Sequence, residues 1–278
     1  MRSFGSVVTG LVAVLAFAVF APMLWLTTNV ADEDGYVELS GVALSDPERR
    51  AEVADAVEVE LTERTTGHLQ DLGVPQVVID GTTGQIDSLT EEGLAEESVA
   101  QAWADAQRQA HQEMFAGKGS TGSGFVIELA PLMTAAASAV GVDGNLFGAS
   151  VRVESENEVS KRFVWVTTHS LAITLISGAV LLAAAGSSFV LARRKHLALL
   201  GLGVAGLGVI GVEYLLARFA PDLVGLPDDA GISERLGHVV LEIAADSFQV
   251  SAIPVAIGAA AVFGAGVLLS ALRGLFSR

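Results

Sequence analysis

The chain has 278 residues, 51% hydrophobic and 17% charged, yet 32 acidic against 16 basic residues give it a formal charge of −16. With a mean hydropathy of +0.53, that charge excludes a uniform water-soluble globule, because the apolar and charged residues must occupy different places; ordinary soluble domains carry about 25% charge. The acidic balance speaks against a phosphate-binding surface and so against nucleic acid as a partner, and the lack of cysteine excludes disulfides, thiolate metal sites and a lipidated cysteine.

Residues 4–26 hold no charge and exceed the ~20 apolar residues a bilayer crossing needs. The run is longer than the ~7–15-residue core of a signal peptide, and Asn29 and Ala31 make a poor small-x-small cleavage site, so it reads as a retained anchor. Residues 28–165 read as a folded, helix-rich α+β domain. Asp46 is placed to cap a helix with Pro47 at its first position and Glu48 favouring its dipole. Val53, Val57 and Leu61 then form an apolar stripe, and Gly67 is expected to end the helix. Residues 76–80 are a short apolar run with strand character, followed by a turn at 81–84. A second helix, capped by Ser98, presents Val99, Trp103, Ala106, Ala110 and Met114 on one face and runs to about Phe115.

Residues 117–124 (GKGSTGSG) are a loop. Strand character at 125–129, a helix at 131–140 and strand character at 149–154 predict a small βαβ unit with parallel strands. From Glu156 the chain is expected to enter a helix continuing into the second span.

The remaining spans are 171–192, 197–217 and 250–272. The short Arg193–Lys195 connection makes the second and third antiparallel neighbours. The third carries Gly201, Gly203, Gly206, Gly208 and Gly211, and the fourth carries Ala256, Ala260 and Gly264 at four-residue spacing. Such faces let helices approach closely in lipid, first within this bundle and second against a partner's helix; no polar lining supports a pore or carrier. Glu213, within four residues of the span's end, is expected to reach the interface or pair with Arg218, and His169 to be interfacial. In the loop 218–249, Ile232, Leu236, Val240 and Ile243 share one face of a helix starting near Ser233. Its acidic bias disfavours anionic lipid, so docking on the domain is expected.

Orientation follows the distribution of Lys and Arg. Arg2, Arg193, Arg194, Lys195, Arg273 and Arg278 flank the spans with no acid among them. The segment 28–165 holds 25 acidic and 8 basic residues, net −17, and the loop 218–249 holds 6 and 2, net −4. Both termini are therefore expected in the cytoplasm and both acidic segments outside it, in a multi-pass protein of the cell membrane.

Recognisable chemistry is sparse. Gly117-Lys118-Gly119-Ser120 lacks the phosphate-loop spacing, since position 112 is Gln, and it precedes a strand, so no nucleotide is expected. Gly122-Ser123-Gly124 lacks the nucleophile-elbow pattern. His68, His111, His169, His196 and His238 show no metal-ligand spacing, so no metal and no cofactor are expected. The acidic run Asp32-Glu33-Asp34-Gly35 departs from a calcium loop and reads as a solvated charge cluster. The candidate binding residues are Trp103, Arg108 and His111, which on one helix could receive an anionic head group or a peptide terminus. An enzyme there would add a carboxylate such as Asp105 or Glu113. The structural alternative has His111 packing its helix against the domain.

Tyr36, Asp46-Pro47, the helix Ala102-Trp103-x4-Arg108-x2-His111, and Val126-x2-Leu129-Ala130-Pro131-Leu132 carry a resemblance. In these the chain resembles a family of uncharacterised actinobacterial integral membrane proteins with one anchor helix, an outward domain and three further helices. Gln107 stands where that family often has Asn, and the segment between the two main domain helices is shorter here. The resemblance implies architecture and an envelope location, and supplies no reaction. The function expected is a non-enzymatic membrane component of the bacterial cell envelope, with the lipid bilayer and a membrane or envelope protein as partners. The alternatives are an accessory subunit or assembly factor of a large respiratory or envelope-biogenesis complex, and a lipid-handling protein or enzyme with a site near His111.

Overall fold

A segment crossing lipid must satisfy its backbone polar groups internally, which for a long apolar run means a helix. The computed structural model describes residues 2–71, 73, 75–76, 93–115, 125–128, 130–132, 134, 152–155, 158–225 and 231–276. Among them the elements are α1 (Arg2–Leu26), a π-helical turn (Thr27–Ala31), α2 (Glu33–Ser45), α3 (Pro47–Asp71), α4 (Glu97–Phe115), β1 (Phe125–Glu128), β2 (Arg152–Ser155), α5 (Glu158–Thr168), α6 (Ser170–Leu191), α7 (Lys195–Val224) and α8 (Ile232–Phe276). Four helices are long and apolar enough to cross a membrane, in Phe4–Ala31, Ser170–Leu191, Lys195–Val224 and Glu234–Arg273, as in a multi-pass membrane protein. The described chain is otherwise almost entirely helical.

Several boundaries differ from expectation. The first span continues past Leu26 through the π-helical turn, where the Thr27 hydroxyl donates to the Met23 carbonyl at 2.7 Å and that of Thr28 to Leu24 at 3.1 Å. The acidic run 32–34 opens α2: Asp32 caps it by accepting from the Gly35 N–H at 3.0 Å, and Glu33 and Asp34 lie in its first turn, where the helix dipole favours them. Asp46 caps α3 through the N–H groups of Glu48 (2.9 Å) and Arg49 (3.2 Å). That helix passes through Gly67 to Asp71, and the glycine beyond its end that turns left-handed is Gly73, at φ +72°. A glycine inside a helix costs about 1 kcal/mol against alanine, which a 25-residue helix tolerates.

The expected parallel strands pair antiparallel, Phe125 opposite Ser155 and Glu128 opposite Arg152. Apolar alternation marks a strand but carries no direction; the connection decides that, and antiparallel bonding is slightly the more stable. The expected features at 77–84 and 117–124, with residues 135–140 of the expected helix, lie outside the described residues. The final loop helix and the fourth span are one 45-residue helix, α8.

Two compact units divide the chain. The span unit comprises Met1–Thr28, His169–Ala220 and Ala245–Arg278. Within it α1 and α6 run antiparallel, joined by hydroxyls: Ser6 Oγ donates to the Ser188 carbonyl at 3.0 Å and Ser188 Oγ to the Ser6 carbonyl at 2.9 Å. Towards the other end, the hydroxyls of Thr27 and Thr174 lie 3.2 Å apart. Helices α7 and α8 approach backbone to backbone. A Cβ at Gly203 would stand 2.6 Å from the Phe263 nitrogen, and one at Gly266 2.8 Å from that of Leu200. Gly201, Gly208 and Gly211 meet open space instead, so close approach selects only part of the glycine face. Of the stripe on α8, Ala256 packs inward against Ala21, Ile210 and Ala252, while Ala260 and Gly264 are exposed.

The acidic unit comprises Asn29–Thr168 and Pro221–Ala244. Its core gathers Leu44 of α2, Val53 and Val57 of α3, Leu94, Trp103 of α4 and Leu132 around Ile232, Leu236, Val239 and Ile243 of α8, with Val240 partly buried beside them. Arg49 forms an ion pair with Glu242 of α8, and Arg235 one with Asp55 at 3.4 Å.

Candidate functional site

Helix α4 positions all three candidate residues, and its buried face decides their surroundings. That face is Val99, Trp103, Gln107, Ala110, His111 and Met114, so Gln107 and His111 are buried and Ala106 is only partly so. Three hydrogen bonds tie it to the chain before and within α2. Trp103 Nε1 donates to the Ser40 carbonyl at 3.0 Å, and the Tyr36 hydroxyl donates to Gln107 Oε1 at 3.4 Å. His111 Nε2 lies 3.1 Å from the Val30 carbonyl; a carbonyl only accepts, so that nitrogen carries the proton. The His111 ring stacks obliquely between Tyr36 and Phe115, with centroids 5.2 and 4.6 Å away.

These contacts satisfy polar groups that burial would otherwise penalise by about 1–3 kcal/mol each. Gln107 is 1% exposed and Trp103, Tyr36 and His111 each 5%. Burial pushes the Tyr36 phenol well above its ordinary range. The gap beside Tyr36, Ser40, Trp103 and Gln107 holds only about 40 Å³, room for a water or two and far below the roughly 300–1,000 Å³ of a small-molecule pocket.

Arg108 is placed differently. Its side chain is 39% exposed and lies among carboxylates, 2.8 Å from Asp105 and 3.4 Å from Glu33. The structure therefore brings Trp103 and His111 together on a packed face and engages Arg108 with acids of its own chain. Glu113 bonds Gln109 at 3.1 Å. Two residues of this cluster, Gln107 and Tyr36, carry no local signal in the sequence, since their partnership spans 71 positions. Among the described residues no group of three or more His, Asp and Glu side chains could hold a metal ion.

Glu213 is the remaining ionisable residue within a span. It lies eleven residues before the end of the 30-residue α7, its Oε2 is shielded without a hydrogen-bond partner, and no ion pair with Arg218 forms among the described residues.

Compared with known proteins, the chain matches no family model, no curated protein and no solved structure. The functional reading therefore rests on its residues and geometry.

Proposed function

We propose that this protein is a non-enzymatic integral membrane component of the cell envelope, and that its acidic unit is an interaction domain presented outside the cytoplasm. The observation that carries the reading is the packing of α4: the aromatic and histidine face is filled by the unit's own α2 and α8, so contact with a partner falls to the charged outer surface. The side assignment draws on the net charge of −17 over 28–165 against the uniformly basic flanks of the spans.

The chain has no cysteine, so single introduced thiols report the side directly. In intact cells an impermeant maleimide should label Gln101→Cys and leave Arg194→Cys unlabelled; the opposite pattern overturns the envelope reading. Cross-linking followed by purification in mild detergent should capture a discrete partner, lost when the exposed Glu48 and Glu97 are changed to Lys. A chain that stays monomeric under cross-linking removes the interaction role.

A further inference from the structure

Two sizeable openings lie in the span unit, away from His111. One cleft of about 690 Å³ sits between α1 and α7 at the end where α6 turns into α7. Its mouth carries Arg193 and Arg194 with the hydroxyls of Ser6 and Ser188, and its walls below are apolar, among them Val7, Gly10 and Leu197. It shares the walls Val14 and Leu202 with a second, almost wholly apolar cavity of about 330 Å³, which continues past Ala13 and Phe17 to Val255 and Gly258 of α8.

From these observations we propose that the span unit binds one anionic glycerophospholipid, its phosphate head group held at Arg193 and Arg194 and an acyl chain laid in the trough between α1 and α7. Charge argues for the head group. Both arginines are exposed, no acid lies within the Arg193–Lys195 connection, and neither arginine forms an ion pair among the described residues. Guanidinium groups recognise phosphate oxygens in a two-pronged geometry, and basic pockets between helices at the membrane surface are suited to anionic lipid heads. Depth argues for the tail. From Ser6 to Phe17 the two openings follow α1 for about 16 Å at 1.5 Å per residue, which matches one leaflet of a ~30 Å hydrocarbon layer. A free phosphate would use the mouth and leave the apolar trough without purpose. The inference goes beyond the proposed function and does not depend on which side of the membrane this end faces.

The test reconstitutes the full chain in nanodiscs of equal phosphatidylglycerol and phosphatidylcholine, transfers it to mild detergent, and counts retained lipids by native mass spectrometry. One phosphatidylglycerol should be kept preferentially, by about thirty-fold, as two arginines at a charged surface would give. The double variant Arg193→Ala/Arg194→Ala should abolish that preference at unchanged melting temperature, and Arg193→Lys/Arg194→Lys, which keeps the charge but loses the two-pronged geometry, should keep only part of it. Gly201→Leu, at a lining glycine where an added Cβ meets nothing within 4 Å, should reduce retention of either lipid. Equal retention of the two lipids, a preference that survives loss of both arginines, or displacement of the lipid by millimolar inorganic phosphate would each overturn the proposal.

Discussion

The two units invert one another's composition. In the span unit the buried side chains of α6 are Ser170, Thr174, Ser177, Ala184 and Ser188, while its Leu171, Leu175, Ile176, Leu182 and Val190 point outward. In the acidic unit Leu44, Val57, Trp103, Leu236 and Ile243 are buried, and among the described residues no carboxylate of this unit is buried. Water makes burial of large apolar surface the main stabilising term, roughly 25 cal/mol per Å². Lipid removes that term, since its tails are as apolar as leucine, and leaves close approach and interhelical hydrogen bonds to hold helices together. The same polypeptide thus uses its bulky residues as core on one side of the comparison and as solvent-facing surface on the other.

That contrast sets the order of mutational effects. Trp103→Ala removes the largest buried side chain of α4 and its bond to the Ser40 carbonyl. It should cost about 3–5 kcal/mol, whereas Arg108→Ala, which loses only half-exposed ion pairs, should cost less than about 1 kcal/mol. Urea titration followed by circular dichroism would compare them, and equal losses would mean that burial does not dominate this unit.

In the span unit the sensitive change is an enlargement. Gly203→Leu places a side chain where the Phe263 backbone already stands and should cost about 1–3 kcal/mol or more. Gly208→Leu, beside open space, should leave the melting temperature in detergent nearly unchanged. Similar behaviour of the two glycines would show that α7 and α8 do not meet as described.

The smallest effect concerns pH. Because burial holds the Tyr36 phenol above its ordinary value near 10, the folded state favours the neutral form. The resulting stability is complete below pH 10 and is lost as pH rises above it. Tyr36→Phe should cost about 1 kcal/mol at neutral pH through the lost bond to Gln107, and its melting temperature should then fall less steeply above pH 10 than that of the native chain. Parallel slopes would assign the alkaline loss to another group.

The spans were legible because a long uncharged run is a property of composition, and the Asp46-Pro47 start of α3 because capping is local. Helix α2 was missed although its signal was present: Asp32 followed by Glu33 and Asp34 is a cap with a dipole-matched first turn, and it resembles a solvated charge run until the helix behind it is seen. The true face of α4 includes Gln107, whose burial depends on a hydroxyl 71 residues away, and no local period records such a partner. The five glycines of the third span are equivalent in sequence; the position of Phe263 singles out Gly203. Strand direction is not legible, because alternation says nothing of the path between strands. Of the candidate site, the surroundings are not legible, since Trp103 and Arg108 on one helix give no hint that one faces a core and the other a pair of carboxylates.

The reciprocal Ser6–Ser188 bonds have a consequence in time. Their two halves are 182 residues apart, and in a chain made at about 5–20 residues per second the later serine follows the earlier by roughly 10–35 s. For that interval α1 is in place without its neighbour. Each hydroxyl meets the other helix's carbonyl at a single axial setting, and a slip of one residue separates both bonds together. The pair therefore fixes the axial register of α6 against α1 in the finished bundle.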